Sequence, residues 1–135
     1  MRSYVLDASA LLDFLENGPG AGRVEQILNG AHRQESKVFI SVMNWGEVFY
    51  NLWQHHGEEA ARTGVGRLAR LPIAIVPVDQ QQAMTAAEVK ALHKISFVDC
   101  VAAALAELQN SILVTCDRDF QKLGRRIQVL WLPRR

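Results

Sequence analysis

Cysteine is scarce in this 135-residue chain, with only Cys100 and Cys116 present. Two such residues supply neither a disulfide framework nor a cysteine metal spacing. Each follows a hydrophobic run and reads as a small core residue. Net charge is nearly absent too: 15 Lys and Arg against 14 Asp and Glu leave a formal +1. Composition alone therefore does not mark a nucleic-acid binder. No apolar run is long enough to cross a bilayer. The apolar start of the chain carries Asp7, Asp13 and Glu16 and no small-residue cleavage signal, so a signal peptide is not expected. Repeats, low-complexity tracts and Pro/Ser-rich linkers are also missing. One cytoplasmic domain over residues 1–135 is the expectation. With 49% apolar residues, a chain of this size can bury roughly two thirds of its unfolded surface without staples.

The charges that exist are unevenly spread. No acid follows Asp119, whereas Lys122, Arg125, Arg126, Arg134 and Arg135 accumulate there. Arg62, Arg67 and Arg70 form a second basic stretch. A solvated surface and a nucleic-acid-facing strip are both open readings.

Short β-like runs alternate with helical ones. Strands are expected at 3–6, 37–40, 73–78, 112–115 and 127–132, with Pro77 marking an end or an edge. Helices are expected at 8–16 before the stop Asn17-Gly18-Pro19-Gly20, and at 22–31. Ser41 reads as the N-cap of a helix reaching His56, with Val42, Trp45, Phe49, Leu52 and Trp53 at helical spacing. Further helices are expected at 58–71, from Asp79 to about Leu92, and from Ser96 through Leu108. Asp79 with Gln82, and Ser96 with Asp99, have capping-box spacing. A short turn should run from Asp117 to Leu123. Met43 and Met84 read as core filler. His55 and His56 lack zinc spacing and suit a helix C-terminus, and His93 reads as a structural or surface residue. This alternation predicts an α/β fold: a mostly parallel sheet of four to five strands with helices on both faces and right-handed crossovers.

In such sheets ligands bind outside the carboxyl ends of the strands. Asp7 ends the run Tyr4-Val5-Leu6, and Asp117 follows Leu113-Val114-Thr115. If those strands are parallel neighbours, the two carboxylates meet. Glu47 lies between Trp45-Gly46 and Val48-Phe49 with no basic partner at helical spacing, and Asp99 sits between Phe97-Val98 and Cys100-Val101. An acid in an apolar segment is costly unless paired or bound to a cation. Four clustered acids would repel one another, and a divalent cation relieves that; oxygen ligands favour Mg²⁺ or Mn²⁺. Each acid keeps an ordinary alternative: Asp7 as a helix cap, Asp99 in its capping box, Asp117 as a turn initiator, Glu47 paired with a distant arginine. Asp79 is fully explained as a cap, and Asp13, Glu16, Glu58 and Glu59 read as solvated helix acids.

Val5-Leu6-Asp7-Ala8-Ser9-Ala10-Leu11-Leu12 resembles the opening motif of PIN domains, in particular the VapC-type toxins of toxin–antitoxin pairs. Trp45-Gly46-Glu47-Val48 is similar to the second acidic motif, and Ser96-Phe97-Val98-Asp99-Cys100-Val101 to the third. Leu113-Val114-Thr115-Cys116-Asp117-Arg118-Asp119-Phe120 looks like the fourth. The resemblance spans nearly the whole chain, in order and spacing. It implies a PIN-like three-layer fold and an endoribonuclease dependent on Mg²⁺ or Mn²⁺. It also implies inhibition by a cognate antitoxin that inserts a peptide near the acids, and commonly a homodimer. Asp7, Glu47, Asp99 and Asp117 match the metal-binding positions, Thr115 the hydroxyl of the fourth motif, and Asp119 an accessory acid.

These residues suit metal-assisted hydrolysis with no covalent nucleophile, using one or two cations, and the resemblance implies an RNA phosphodiester as the target. Arg118 and the C-terminal arginines are candidates to meet the RNA backbone. A haloacid-dehalogenase-type phosphatase would need a D-x-D pair where Ser9 stands, and a response-regulator receiver would need paired acids after the first strand. A PIN module without catalysis, binding RNA or a partner, is the alternative that keeps the fold.

Overall fold

The computed structural model describes residues 1–135. Its five strands are β1 (Arg2–Leu6), β2 (Ser36–Ser41), β3 (Ala74–Val76), β4 (Ile112–Thr115) and β5 (Val129–Trp131). They form one sheet in the order β3-β2-β1-β4-β5, with every pairing parallel. The helices are α1 (Ala8–Leu15), α2 (Ala21–His32), α3 (Val42–His56), α4 (Glu58–Leu68), α5 (Gln80–Leu92) and α6 (Phe97–Leu108). A 3₁₀ segment over Arg118–Arg126 breaks at Gly124, where φ is 56°, a value glycine adopts without steric cost.

Alternation along the strands builds two cores, because successive side chains point to opposite faces. Tyr4, Leu6, Val38, Ile40 and Val114 point to a core completed by α1 to α4. Val5 and Leu113 point the other way, into a core built on α6, Phe120 and Leu123. The three-layer α/β fold follows from this pattern, and the sheet is parallel throughout.

Chain order matters more than layer count. From β1 the chain moves outward through β2 to β3, then returns to the other side of β1 for β4 and β5. The strand order therefore reverses between β1 and β4, which opens a crevice at their carboxyl ends. Leu6 lies opposite Val114, so Asp7 and Thr115 emerge side by side into that crevice.

Several expectations need correction. Ser41 does cap α3, its Oγ accepting from Met43 N at 3.2 Å, but the buried stripe of that helix is Asn44, Val48 and Leu52. Val42 and Trp53 lie on the exposed side. Met43 and Met84 are not core filler: they are 45% and 67% exposed. Asp13 is not solvated; it is 0% exposed. Helix α4 stops at Leu68. At Gly64 a Cβ would stand 2.8 Å from Leu52 Cδ1, so the Leu52 side-chain end would have to shift to admit one. The Asp79 box is only half formed: Gln82 N donates to Asp79 Oδ1, but Gln82 Nε2 turns away to the Pro77 carbonyl. Strand β3 has three residues and sits at the sheet edge, where Pro77 beyond it costs no ladder bond.

Candidate active site

Asp7 is the first residue beyond β1 and the N-cap of α1. Its two roles coexist. Oδ1 accepts from Ala10 N at 2.9 Å and from Ser9 Oγ at 2.7 Å, while Oδ2 accepts from Thr115 Oγ1 at 2.5 Å. A carboxylate offers about four acceptor directions, so three bonds leave one free. The side chain is 2% exposed. Burial pushes its pKa up to about 6, against the opposing pull of the Thr115, Ala10 and Ser9 donors.

Thr115 ends β4 and links the two strand ends. Besides donating to Asp7, its Oγ1 accepts from Asp117 N at 2.9 Å. Ser9 Oγ accepts from Cys116 N at 3.1 Å. Each hydroxyl has one hydrogen, and both are committed to the Asp7 carboxylate. Asp117 in turn caps the 3₁₀ segment, Oδ1 accepting from Asp119 N at 2.9 Å.

Asp99 lies in the first turn of α6, after the cap Ser96, whose Oγ accepts from Asp99 N at 3.2 Å. No bond from its carboxyl to the Ser96 N–H closes a capping box. Carboxylate oxygens of Asp99, Asp117 and Asp119 come within 4.8 Å of one another. Asp7 and Glu47 stand outside that tightest group but are felt across it. Burial first, then Asp117 and Asp7, push the Asp99 pKa up to about 7. Glu47, half-buried on α3, is raised by burial, and Asp117 adds to this against the Asn44 hydrogen bond.

None of Asp7, Glu47, Asp99 and Asp117 has a lysine, arginine or histidine within ion-pair distance; Asp119 alone has one, Lys122 at 3.7 Å. Uncompensated carboxylates in one crevice match the oxygen-rich, high-charge ligand set of a hard divalent cation. The residues present therefore fit Mg²⁺ or Mn²⁺.

Two site residues escape a reading of acids alone. Ser9 ties α1 to the Cys116 backbone; the hydroxyl two residues after a strand-end aspartate was its signal. Asn44, three residues before Glu47, donates from Nδ2 to Glu47 Oε1 at 3.3 Å. Its signal was a polar residue in phase with Val48 and Leu52.

Two arginines expected at the RNA are already engaged. The Arg118 guanidinium lies 4.9 Å from the Trp131 ring centroid, and its Nη2 donates to the Leu132 carbonyl. Arg135 reaches Glu16 at 2.6 Å and buried Asp13 at 3.3 Å. Asp13 Oδ2 also accepts from Gly20 N at 2.7 Å. A Cβ on Gly18 or Gly20 would run into this carboxylate, so the sequence Gly18-Pro19-Gly20 is shaped around Asp13.

The family model for the PIN domain matches residues 4–126. The chain belongs to the PIN domain family. Among solved structures it is similar to VapBC2 from Rickettsia felis bound to a promoter DNA fragment, at 15% identity and a TM-score of 0.78, covering 96% of this chain and 98% of that one. DNA-bound VapBC from Salmonella typhimurium gives 21% identity and a TM-score of 0.76 over 96% and 98% of the two chains. VapC20 from Mycobacterium tuberculosis, described as a sarcin–ricin loop cleaving toxin, gives 19% and 0.68 over 90% and 95%. No curated protein sequence matches the chain. At these identities the structural likeness establishes the fold.

Proposed function

We propose that this chain is a divalent-metal-dependent endoribonuclease and the toxin of a toxin–antitoxin pair. The observation that carries the reading is the set of four carboxylates without basic partners at the strand-order reversal of a PIN domain. Asp7, Glu47, Asp99 and Asp117 hold one or two Mg²⁺ or Mn²⁺ ions, with Asp119 as an accessory ligand. A cation held by these acids would supply charge neutralisation at the scissile phosphate and a lower pKa for the attacking water. Thr115 and Ser9 hold the Asp7 carboxylate in place, with one acceptor direction left for the cation. Asp117, anchored by its own backbone N–H on Thr115, closes the site from β4. With Arg118 and Arg135 engaged elsewhere, exposed Arg125 and Arg134 are the basic residues of that segment left to meet the RNA backbone.

RNA as the substrate and an antitoxin as the partner are drawn from the VapC-like neighbours. A groove of about 840 Å³ between the ends of α1 and α3 and the face of α4, lined by Leu15, Leu52 and Arg67 among others, suits an antitoxin segment. Val42, Met43, Tyr50 and Trp53 are exposed and fall within about 100° of the α3 helical wheel. That apolar stripe suits a second copy of the chain, giving a homodimer. On this reading the protein would act in the cytoplasm, where such a toxin meets its RNA. The test is incubation of purified protein with mixed RNAs, with Mn²⁺ or excess EDTA, followed by mapping of fragment ends. Cleavage with Mn²⁺ and none in EDTA supports the reading. Mn²⁺ binding without cleavage would favour a silent binding module.

A further inference from the structure

Packing alone does not explain Asn44. It is 0% exposed and lies in register with Val48 and Leu52, which belong to the apolar core against α1. An aliphatic side chain would extend that stripe. The asparagine instead spends one end of its amide on Glu47 and leaves the other idle: Nδ2 donates to Glu47 Oε1 at 3.3 Å, and Oδ1 is buried with no hydrogen-bond partner. A buried carbonyl without a partner is destabilising and uncommon. The i, i+3 spacing puts both side chains on neighbouring turns of the same helix. Glu47 has no cationic partner, so this amide is the one side-chain hydrogen bond that restrains its carboxylate.

We infer that Asn44 is a positioning residue of the metal centre, its N–H pinning one oxygen of Glu47 so that the carboxylate is presented to the cation, and its idle carbonyl accepting from a water that arrives with the hydrated ion. Mg²⁺-type ions keep several waters, so such a donor comes with the cation. The inference rests on the reading that the four acids hold a divalent cation. Residues behind metal ligands commonly change affinity about 10–100-fold when removed.

The test is calorimetric titration with Mn²⁺ of wild type, Asn44→Ala, Asn44→Leu and Asn44→Thr, alongside the melting temperature of each without metal. Asp7→Asn serves as the control that loses binding. Asn44→Leu should weaken Mn²⁺ binding at least about tenfold while leaving the metal-free melting temperature unchanged or higher, since the idle carbonyl is gone. Asn44→Ala should weaken binding equally without adding bulk, and Asn44→Thr, which keeps one donor, should recover most of the affinity. Wild-type affinity in both Ala and Leu variants, with a lowered melting temperature, would overturn the inference and make Asn44 a structural residue. Absence of Mn²⁺ binding in wild type would instead remove the metal centre itself, and the inference with it.

Discussion

Asp7→Asn should stabilise the metal-free protein at pH 8. Asp7 is fully buried, and its pKa rises from 3.8 to about 6 on folding. A shift of two units corresponds to roughly 3 kcal/mol. The sign follows from linkage: a folded-state pKa above the unfolded one gives stability that is present below the unfolded value and lost as pH rises through about 6. At pH 8 the wild type carries that loss in full. Asparagine carries no charge to bury, but it turns one accepting oxygen into a donor and forfeits a hydrogen bond, about 1 kcal/mol. The net gain is about 2 kcal/mol, which for a domain of this size is on the order of 6–10 °C in melting temperature. Near pH 4.5 most of that gain should vanish, because the wild-type carboxyl is then protonated in the fold. Saturating Mn²⁺ should reverse the order at pH 8, since only wild type gains binding free energy. Thermal melts at both pH values, with EDTA and with Mn²⁺, read all of this. An equal loss of stability at pH 8 and pH 4.5 would refute the claim that Asp7 is a buried, uncompensated charge.

Burial and acid–acid repulsion hold Asp7 near 6 and Asp99 near 7, and both must lose protons to take a cation. Mn²⁺ affinity, followed by calorimetry, should therefore climb from pH 5 to pH 7 and level off near pH 8. Thr115→Val removes the hydroxyl that donates to Asp7 and accepts from Asp117 N. Cleavage should fall by about tenfold, and the acid limb of its pH profile should move upward because a donor favouring ionised Asp7 is lost. Arg135→Ala should lower stability by roughly 1–3 kcal/mol in urea denaturation, below the cost of breaking a fully buried pair because Arg135 is partly exposed. Gly18→Ala should also destabilise, since its Cβ meets the Asp13 carboxylate; a melting temperature equal to wild type would contradict the packing described for that turn.

What the sequence disclosed was mostly local. Strand alternation, the caps Asp7, Ser41 and Ser96, and the stop at Gly18-Pro19-Gly20 depend on neighbours a few residues apart. The meeting of Asp7 and Asp117 needed one more step, the parallel pairing of β1 with β4, and α/β topology favours it. The misread residues owe their environment to distant partners. Asp13 looked like a surface acid because nothing nearby shows that Arg135 folds back onto it. Arg118 looked free because its partners Trp131 and Leu132 lie beyond the 3₁₀ segment. The α3 stripe read from its spacing included Leu52 but passed over Asn44 and Val48, which share the buried side, because the aromatics are more conspicuous. Periodicity finds a stripe, but the side that faces the core is set by what packs against it.

The most direct measurement compares cleavage of a labelled RNA by wild type and Asp117→Asn over a Mn²⁺ titration, with an EDTA arm. Cleavage that rises with Mn²⁺ in wild type, drops at least about 100-fold in Asp117→Asn and disappears in EDTA is the expected result. Cleavage that persists in EDTA, or that Asp117→Asn leaves intact, would contradict a metal centre built on these acids.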